Sequence, residues 1–332
     1  MSTRQARNTR RALAGLAICL MLIVLVAVTG MAYLHHRIDE VDRIDGVFEG
    51  IGPRPERPTT GPAAEALNVL LLGTDRRSDV ATTGDTARAA AWLPGAQRSD
   101  AMMLIHISAD RDRVTAISLP RDSWVEVPGY GMAKINAAFS YGGPSLAVHT
   151  VERLTDVHID HFALVDWEGF RELTDAVGGV TVQIPHTVFD AARGITWTAG
   201  EHVLNGQEAL DYVGQRYGLP GGDLDRVRRQ QAVLATLAEQ SLELRGSPRL
   251  AWNFVDLMTR HVSVDDEWST PELASLAWSL RDVGREDIRY LTAPVSGLGW
   301  EGDQSVVRLD RPAGAELWRA VRRDRIDGLH LP

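Results

Sequence analysis

The stretch NVLLLGTDRRSD, residues 68–79, changes character halfway along. Its first five residues form an apolar run of strand length, closed by Gly73. Asp75, Arg76 and Arg77 then crowd at the carboxyl end of that run. In open α/β sheets ligands sit outside strand ends, where the loops gather. A strand that runs straight into an acid and two arginines therefore marks both a fold class and a place to look for a site.

The same grammar recurs downstream. MMLIHI (102–107), VTAISL (114–119), HFALVDW (161–167) and VTVQI (180–184) are further apolar or β-branched runs of strand length. The second strand is entered through QRSD, which carries Arg98 and Asp100, and VTAISL is followed by Pro120, Arg121 and Asp122. Helical patterns alternate with these runs at 145–154, with Ser145 as its expected cap, and at 168–177. NGQEALDYV (205–213) opens with Asn205 and has Glu208 three residues on, the capping-box arrangement. LDRVRRQQAVLATLAEQSLEL (224–244) is the longest soluble helix pattern, and others fall near 249–260, 271–283 and 313–323, with a strand at IRYLTAPV. The alternation predicts an α/β protein, a three-layer α/β/α sandwich around a central sheet.

The long helix has a graded face. Arg226, Gln230, Leu234 and Leu237 share one side, polar in the first turns and apolar afterwards. A buried stripe that turns polar at one end points that end into a site. Before it, QRYGLPGGD places Arg216 ahead of a glycine-rich turn leading to a helix N-terminus, a setting that favours phosphate. Arg228 and Arg229 are expected on the solvated side. Lys134, in the glycine-punctuated loop GYGMAKINAAFSYGG (129–143), is the only lysine among the 35 Lys and Arg residues. Two aspartates suit Mg2+, which takes hard oxygen ligands and completes its shell with phosphate. Arginines grip phosphate oxygens bidentately, and a lysine serves as a mobile point charge. His158 and His161 have no third ligand near them in sequence, so a metal pair is not expected there.

The first segment bears on location. Arg4, Arg7, Arg10 and Arg11 precede the uncharged run 12–34, whose 23 residues would span about 34 Å as a helix. The expected organisation is a cytoplasmic N-terminus at 1–11, a retained transmembrane helix at 12–34, and an extracellular Pro-rich linker at 35–64. A catalytic domain at 65–325 and a tail at 326–332 complete it. The lone cysteine, Cys19, lies in the apolar run, so no intrachain disulfide is available. The formal charge is −9 in all; the first 36 residues carry +4, leaving −13 for the rest. An acidic outer domain argues against nucleic acid as a partner.

Together NVLLLGTDRR, RSDAMMLIHI, AISLPRDSWVEVPGYGMAKINAAFSYGG, DHFALVDWEGFRELTDAVGGVTVQIP and GLPGGDLDRVRRQQ resemble the successive signatures of the LytR–CpsA–Psr family, over roughly residues 65–325. The resemblance implies a central mixed sheet and a membrane-anchored, Mg2+-dependent phosphotransferase, with Mn2+ the other candidate metal. It would move a glycopolymer with one phosphate from a polyprenyl-pyrophosphate lipid to peptidoglycan, at the muramic acid C6 hydroxyl, releasing polyprenyl phosphate. A pyrophosphatase side activity belongs to the same expectation. By the same carry-over, Asp75 and Asp100 hold the metal, and Arg77, Arg121, Lys134, Arg216, Arg226 and Gln230 line the head-group site, with Arg98 a further candidate. The lipid tail would lie in an apolar tunnel walled in part by the long helix.

Gly214 departs from the family pattern, which has an arginine there; Arg98, Arg228 or an arginine from another loop are the candidates to replace its charge. That gap sustains an alternative, a membrane-anchored lipid carrier without efficient transfer. A transcriptional regulator is opposed by the acidic outer domain and the roughly 11 cytoplasmic residues. Asp122 and Asp223 both stand as candidate general bases. The 78–97 segment reads as either a mobile flap or a plain insertion.

Overall fold

The computed structural model describes residues 37, 39–75, 98–215, 218–219 and 221–329. The apolar run 12–34, the 78–97 segment, Arg76, Arg77 and Arg216 lie outside the described residues, as do the side chains of Asp75, Arg98 and Asp223. Among the described residues no helix is long and apolar enough to cross a membrane.

The chain begins with β1 (Asp42–Ile44), β2 (Leu67–Asp75), β3 (Arg98–Ile107) and β4 (Val114–Ser118). A hairpin of β5 (Trp124–Val127) and β6 (Gly131–Lys134) leads into α1 (Ile135–Thr155), followed by β7 (His161–Asp166) and α2 (Trp167–Ala176). Four short strands come next, β8 (Val180–Ile184), β9 (Val188–Asp190), β10 (Ile195–Trp197) and β11 (Gly200–Leu204). Helices α3 (Gly206–Gly214), α4 (Asp223–Glu243) and α5 (Pro248–His261) precede β12 (Val262–Asp265) and α6 (Thr270–Ser279). The chain closes with β13 (Ile288–Thr292), β14 (Val295–Glu301), β15 (Gln304–Leu309) and α7 (Arg311–Arg322).

Seven strands form the central sheet in the order β1-β12-β7-β2-β3-β4-β13. The β1/β12, β7/β2 and β4/β13 pairs are parallel and the other three are antiparallel, so the sheet is mixed. Strand alternation sorts β2 between two layers. Leu70 and Leu72 are fully buried in a core with Phe139, Val148 and Val151 of α1 and Leu317 of α7. Each such side chain contributes about 1.5–3 kcal/mol of burial. On the opposite face Val69 and Leu71 meet Trp268 and the α6 residues Leu273 and Leu276. Helices on both faces make the expected sandwich.

Several details correct the sequence reading. VTVQI is a strand but not one of the central sheet: β8 pairs antiparallel with β11. With Tyr212 of α3 and Val233 and Leu237 of α4 it builds a smaller second core. Non-helical backbone at Gly142 and Gly143 divides α1, and its second segment starts at Pro144, one residue before the expected start, so Ser145 lies inside that segment rather than at its cap. The Ser145 hydroxyl instead donates to the Gly46 carbonyl at 3.1 Å. The stretch expected as a linker is built into the domain from Asp42 on. β1 is an edge strand, Ile44, Val47 and Ile51 join the main core, and Arg54 donates to the buried Glu152 at 2.9 Å.

Candidate active site

The decisive local feature is a β-bulge. In the antiparallel β2/β3 ladder Gly73 pairs with Ala101, but Thr74 pairs with Ser99 and Asp75 with Arg98. Asp100 is the extra residue, and a bulge re-aims its side chain out of the regular alternation. The Asp75 backbone thus stands at the end of the strand adjacent to Asp100, and two acids 25 positions apart in sequence reach the same sheet edge. The Asp100 carbonyl accepts from Gln230 Nε2 at 3.2 Å, which ties the bulge to the first turns of α4.

Asp100 is only 9% exposed, and its Oδ1 accepts from Arg121 Nη1 in a close ion pair. The pair continues into an alternating series: Arg121 Nε lies 3.8 Å from Asp122 Oδ1, and Lys134 Nζ lies 3.2 Å from that same oxygen. Backbone bonds fix the geometry, since Ile135 N donates to the Ser123 carbonyl at 2.8 Å and Asn136 N to the Arg121 carbonyl at 3.2 Å. Lys134 therefore ends strand β6 and precedes the first residue of α1, rather than riding a free loop. Asp122 serves as the counter-charge that holds both cations.

Behind this series lies an apolar cavity of about 230 Å3 between the sheet and helices α2, α3, α4 and α5. Leu71 and Met103 of the sheet, Phe170 of α2, Leu210 of α3 and Met258 of α5 line it. Arg226, Gln230, Leu234 and Leu237 of α4 all face it, as their spacing predicted, and Asp100 stands in the same lining. Arg226 is buried. The glycine turn before α4 uses left-handed backbone at Gly218 (φ 81°) and at its N-cap Gly222 (φ 58°), which only glycine adopts freely. Gly222, not Asp223, occupies the cap.

The structure thus brings together Asp100, Arg121, Lys134, Arg226 and Gln230 and the backbones of Asp75 and Arg98; Arg77 and Arg216 lie outside the described residues. Arg229 contradicts its expected place on the solvated side. It is 8% exposed and stacks over Tyr212 at 4.2 Å, while Nη1 donates to Gln215 Oε1 at 2.6 Å. Burial lowers the pKa of its guanidinium, with the Tyr212, Asp225 and Asp190 charges pulling it back up, and burial raises that of Tyr212. Its partner Tyr212, 17 positions earlier in the chain, leaves no periodic trace in sequence. Arg228 is the solvated one, paired with Asp225 at 2.8 Å and so not aimed at the cavity. His158 and His161 form no metal pair: one bonds the Pro55 carbonyl and the other stacks on Trp268.

Among the described residues no group of three or more His, Cys, Asp or Glu side chains could hold a metal ion unaided. What is present is a hard oxygen donor beside cations. That donor set fits a cation such as Mg2+, which binds one or two carboxylates and takes its remaining ligands from phosphate and water.

The cavity is apolar over most of its lining and is bounded at one end by the Asp100–Arg121 pair, Arg226 and Gln230. The chain matches the LytR_cpsA_psr family model over residues 48–323, and it belongs to that family. It is 31% identical over 325 residues to the cell wall biosynthesis protein LcpA of Corynebacterium glutamicum, a match covering 87% of this chain and 61% of LcpA. The chain therefore spans about three fifths of that relative's length. It is 30% identical over 253 residues to TagU of Enterococcus faecalis, named a polyisoprenyl-teichoic acid–peptidoglycan teichoic acid transferase, with 76% of each chain covered. The fold matches a LytR-Csp2A-Psr enzyme of Actinomyces oris with a TM-score of 0.63 at 21% identity, over 84% of this chain and 96% of that one.

Proposed function

We propose that this protein transfers a glycopolymer, with one phosphate, from a polyprenyl-pyrophosphate carrier to a peptidoglycan hydroxyl, the muramic acid C6 hydroxyl, and releases polyprenyl phosphate. One observation carries the reading: the apolar cavity ends at Asp100, Arg226 and Gln230, with Arg121 and Lys134 adjoining. That geometry matches a molecule with a hydrocarbon tail and a diphosphate head. The name of the TagU relative, with its polyisoprenyl-linked donor and peptidoglycan acceptor, supports the same chemistry.

In this reading the acceptor oxygen bonds the sugar-bearing phosphorus as the bond to the lipid-phosphate oxygen breaks. The hydroxyl proton passes to a carboxylate base, Asp122 or Asp223 being the candidates, and the departing lipid phosphate takes the electron pair. Phosphoryl transfer asks the protein mainly for position and charge stabilisation. Arg121, Arg226 and Lys134, with Arg77 and Arg216, would hold phosphate oxygens, and Gln230 would fix the Asp100 bulge against α4. Mg2+, or Mn2+, held by Asp75 and Asp100 would neutralise diphosphate charge. Leu234, Leu237 and Phe170 would hold the first part of the tail. The cavity is smaller than the ~300–1,000 Å3 usual for ligand sites, so a long prenyl chain requires the helices to part. The run 12–34 would anchor the domain outside the membrane with the N-terminus in the cytoplasm.

The test uses the full chain in detergent, a polyprenyl-pyrophosphate-linked glycan, a peptidoglycan oligomer and Mg2+. Glycan attached to peptidoglycan through a phosphodiester, with polyprenyl phosphate released, is the expected result. Tight binding of the lipid with neither transfer nor hydrolysis would replace this reading with a lipid carrier.

A further inference from the structure

Gly214, the last residue of α3, stands directly against the guanidinium of Arg193. A Cβ built there would lie 2.7 Å from Nη2 of Arg193 and 3.9 Å from the Trp167 ring. Arg193 arrives from the turn between β9 and β10, far from every charged motif of the sequence. Two of its nitrogens are fixed by carboxylates: Nη1 donates to Asp190 Oδ2 and Nε to Asp211 Oδ1, each at 2.9 Å. Asp190 is fully buried and accepts from Ala192 N at 3.0 Å, and the second Asp211 oxygen accepts from Gln207 Nε2 at 3.2 Å. Among the described residues Nη2 donates to no acceptor. Both Gly214 and Trp167 line the apolar cavity, and residues 215–222 join Gly214 directly to the α4 end that carries Arg226.

We propose that Arg193 is a phosphate-binding residue of this site, its Nη2 directed by Asp190 and Asp211 onto oxygens of the lipid diphosphate, and that Gly214 is glycine to admit it. The inference rests on the site holding a lipid diphosphate. Two carboxylates hold the fork in place before the ligand arrives, so little side-chain freedom is lost on binding. The arginine that the family resemblance leads one to expect at position 214 would thus be supplied by another segment, whose guanidinium stands against Gly214.

The full chain in detergent is titrated with geranylgeranyl diphosphate, geranylgeranyl monophosphate and geranylgeraniol, with thermal unfolding recorded for each variant. Arg193→Ala is expected to weaken diphosphate binding about ten- to a hundredfold, the loss of one charged hydrogen bond, and to leave the alcohol unchanged. Gly214→Ala puts a methyl group against Nη2 and is expected to weaken the diphosphate as well, although alanine is the better helix former. Arg193→Ala combined with Gly214→Arg is expected to restore binding, which a purely structural clamp would not do. Equal diphosphate affinity in wild type and Arg193→Ala, or equal losses for diphosphate and alcohol, would overturn the inference while leaving the site reading intact. Failure of the wild type to bind the diphosphate overturns both.

Discussion

Replacing Arg121 by alanine removes the cation from a carboxylate that the fold has already withdrawn from water. The two side chains are 12% and 11% exposed, and the pair sits at the bulge between β3 and the cavity. Breaking a buried pair by deleting one partner costs about 3–5 kcal/mol. Asp100 faces a cavity that water can enter, so the lower figure, about 3 kcal/mol, applies. For a domain of this size each kcal/mol moves the melting temperature by roughly 2–4 °C, giving a fall of about 6–12 °C by circular dichroism. Arg121→Ala/Asp100→Ala leaves no carboxylate stranded, and its loss should fall well short of the sum of the two single losses. Millimolar Mg2+ should restore part of the Arg121→Ala stability through Asp100, because a ligand that binds only the folded state stabilises it. An Arg121→Ala variant that melts within 1 °C of wild type, or strictly additive losses, would refute the reasoning.

Leu234→Trp adds bulk to the middle of the α4 lining; binding of geranylgeranyl diphosphate should fall at least tenfold by titration while the fold, followed by far-ultraviolet dichroism, is kept. At the opposite end of β3 from Asp100, Asp324 accepts from His106 Nε2 at 3.0 Å and from Ala109 N at 3.1 Å, and the His106 hydrogen bond does most to hold its pKa below the usual carboxylate range. A depressed carboxylate contributes stability that is complete above its unfolded pKa, about 3.9, and is lost as pH falls through the lower folded value. Urea melts should therefore show the advantage of wild type over Asp324→Asn constant near neutrality and shrinking below about pH 4. A Cβ on Gly206 would stand 2.2 Å from the Arg171 carbonyl oxygen, where backbone of α2 cannot yield. Gly206→Ala should cost about 2 kcal/mol in denaturant unfolding, overpacking outweighing the better helix propensity of alanine.

Local rules carried much of this fold. Five apolar runs are strands, the Asn205–Glu208 capping box forms with both of its hydrogen bonds, and the Arg226–Leu237 face lines one cavity. Each of these depends on neighbours within a few turns of chain. What escaped depends on partners far away in sequence. Arg229 reads as solvated until Tyr212 and Gln215 are folded against it. VTVQI has a good strand pattern, but nothing in it chooses between the central sheet and a hairpin with Gly200–Leu204. The prolines at 53–62 suggest a spacer, while the burial of Ile44, Val47 and Ile51 is settled by the cavity they fill beside α1. Asp100 stands out in the sequence by its place beside a strand, but the skipped ladder position that turns it inward is a property of two strands at once.

That skipped position has a consequence for anyone altering the protein. The Asp100 carboxylate owes its direction to a miscount of one between β2 and β3, not to its own rotamer alone. Excising the residue would leave Ser99 and Arg98 opposite the Thr74 and Asp75 they already face, closing the ladder without its bulge and without its acid. Ala101, next along the strand and opposite Gly73, lines the same cavity from the regular part of the ladder. The acid can be swapped in place, but shortening β3 by that single residue would take it off this edge of the sheet while leaving the neighbouring pairs as they are.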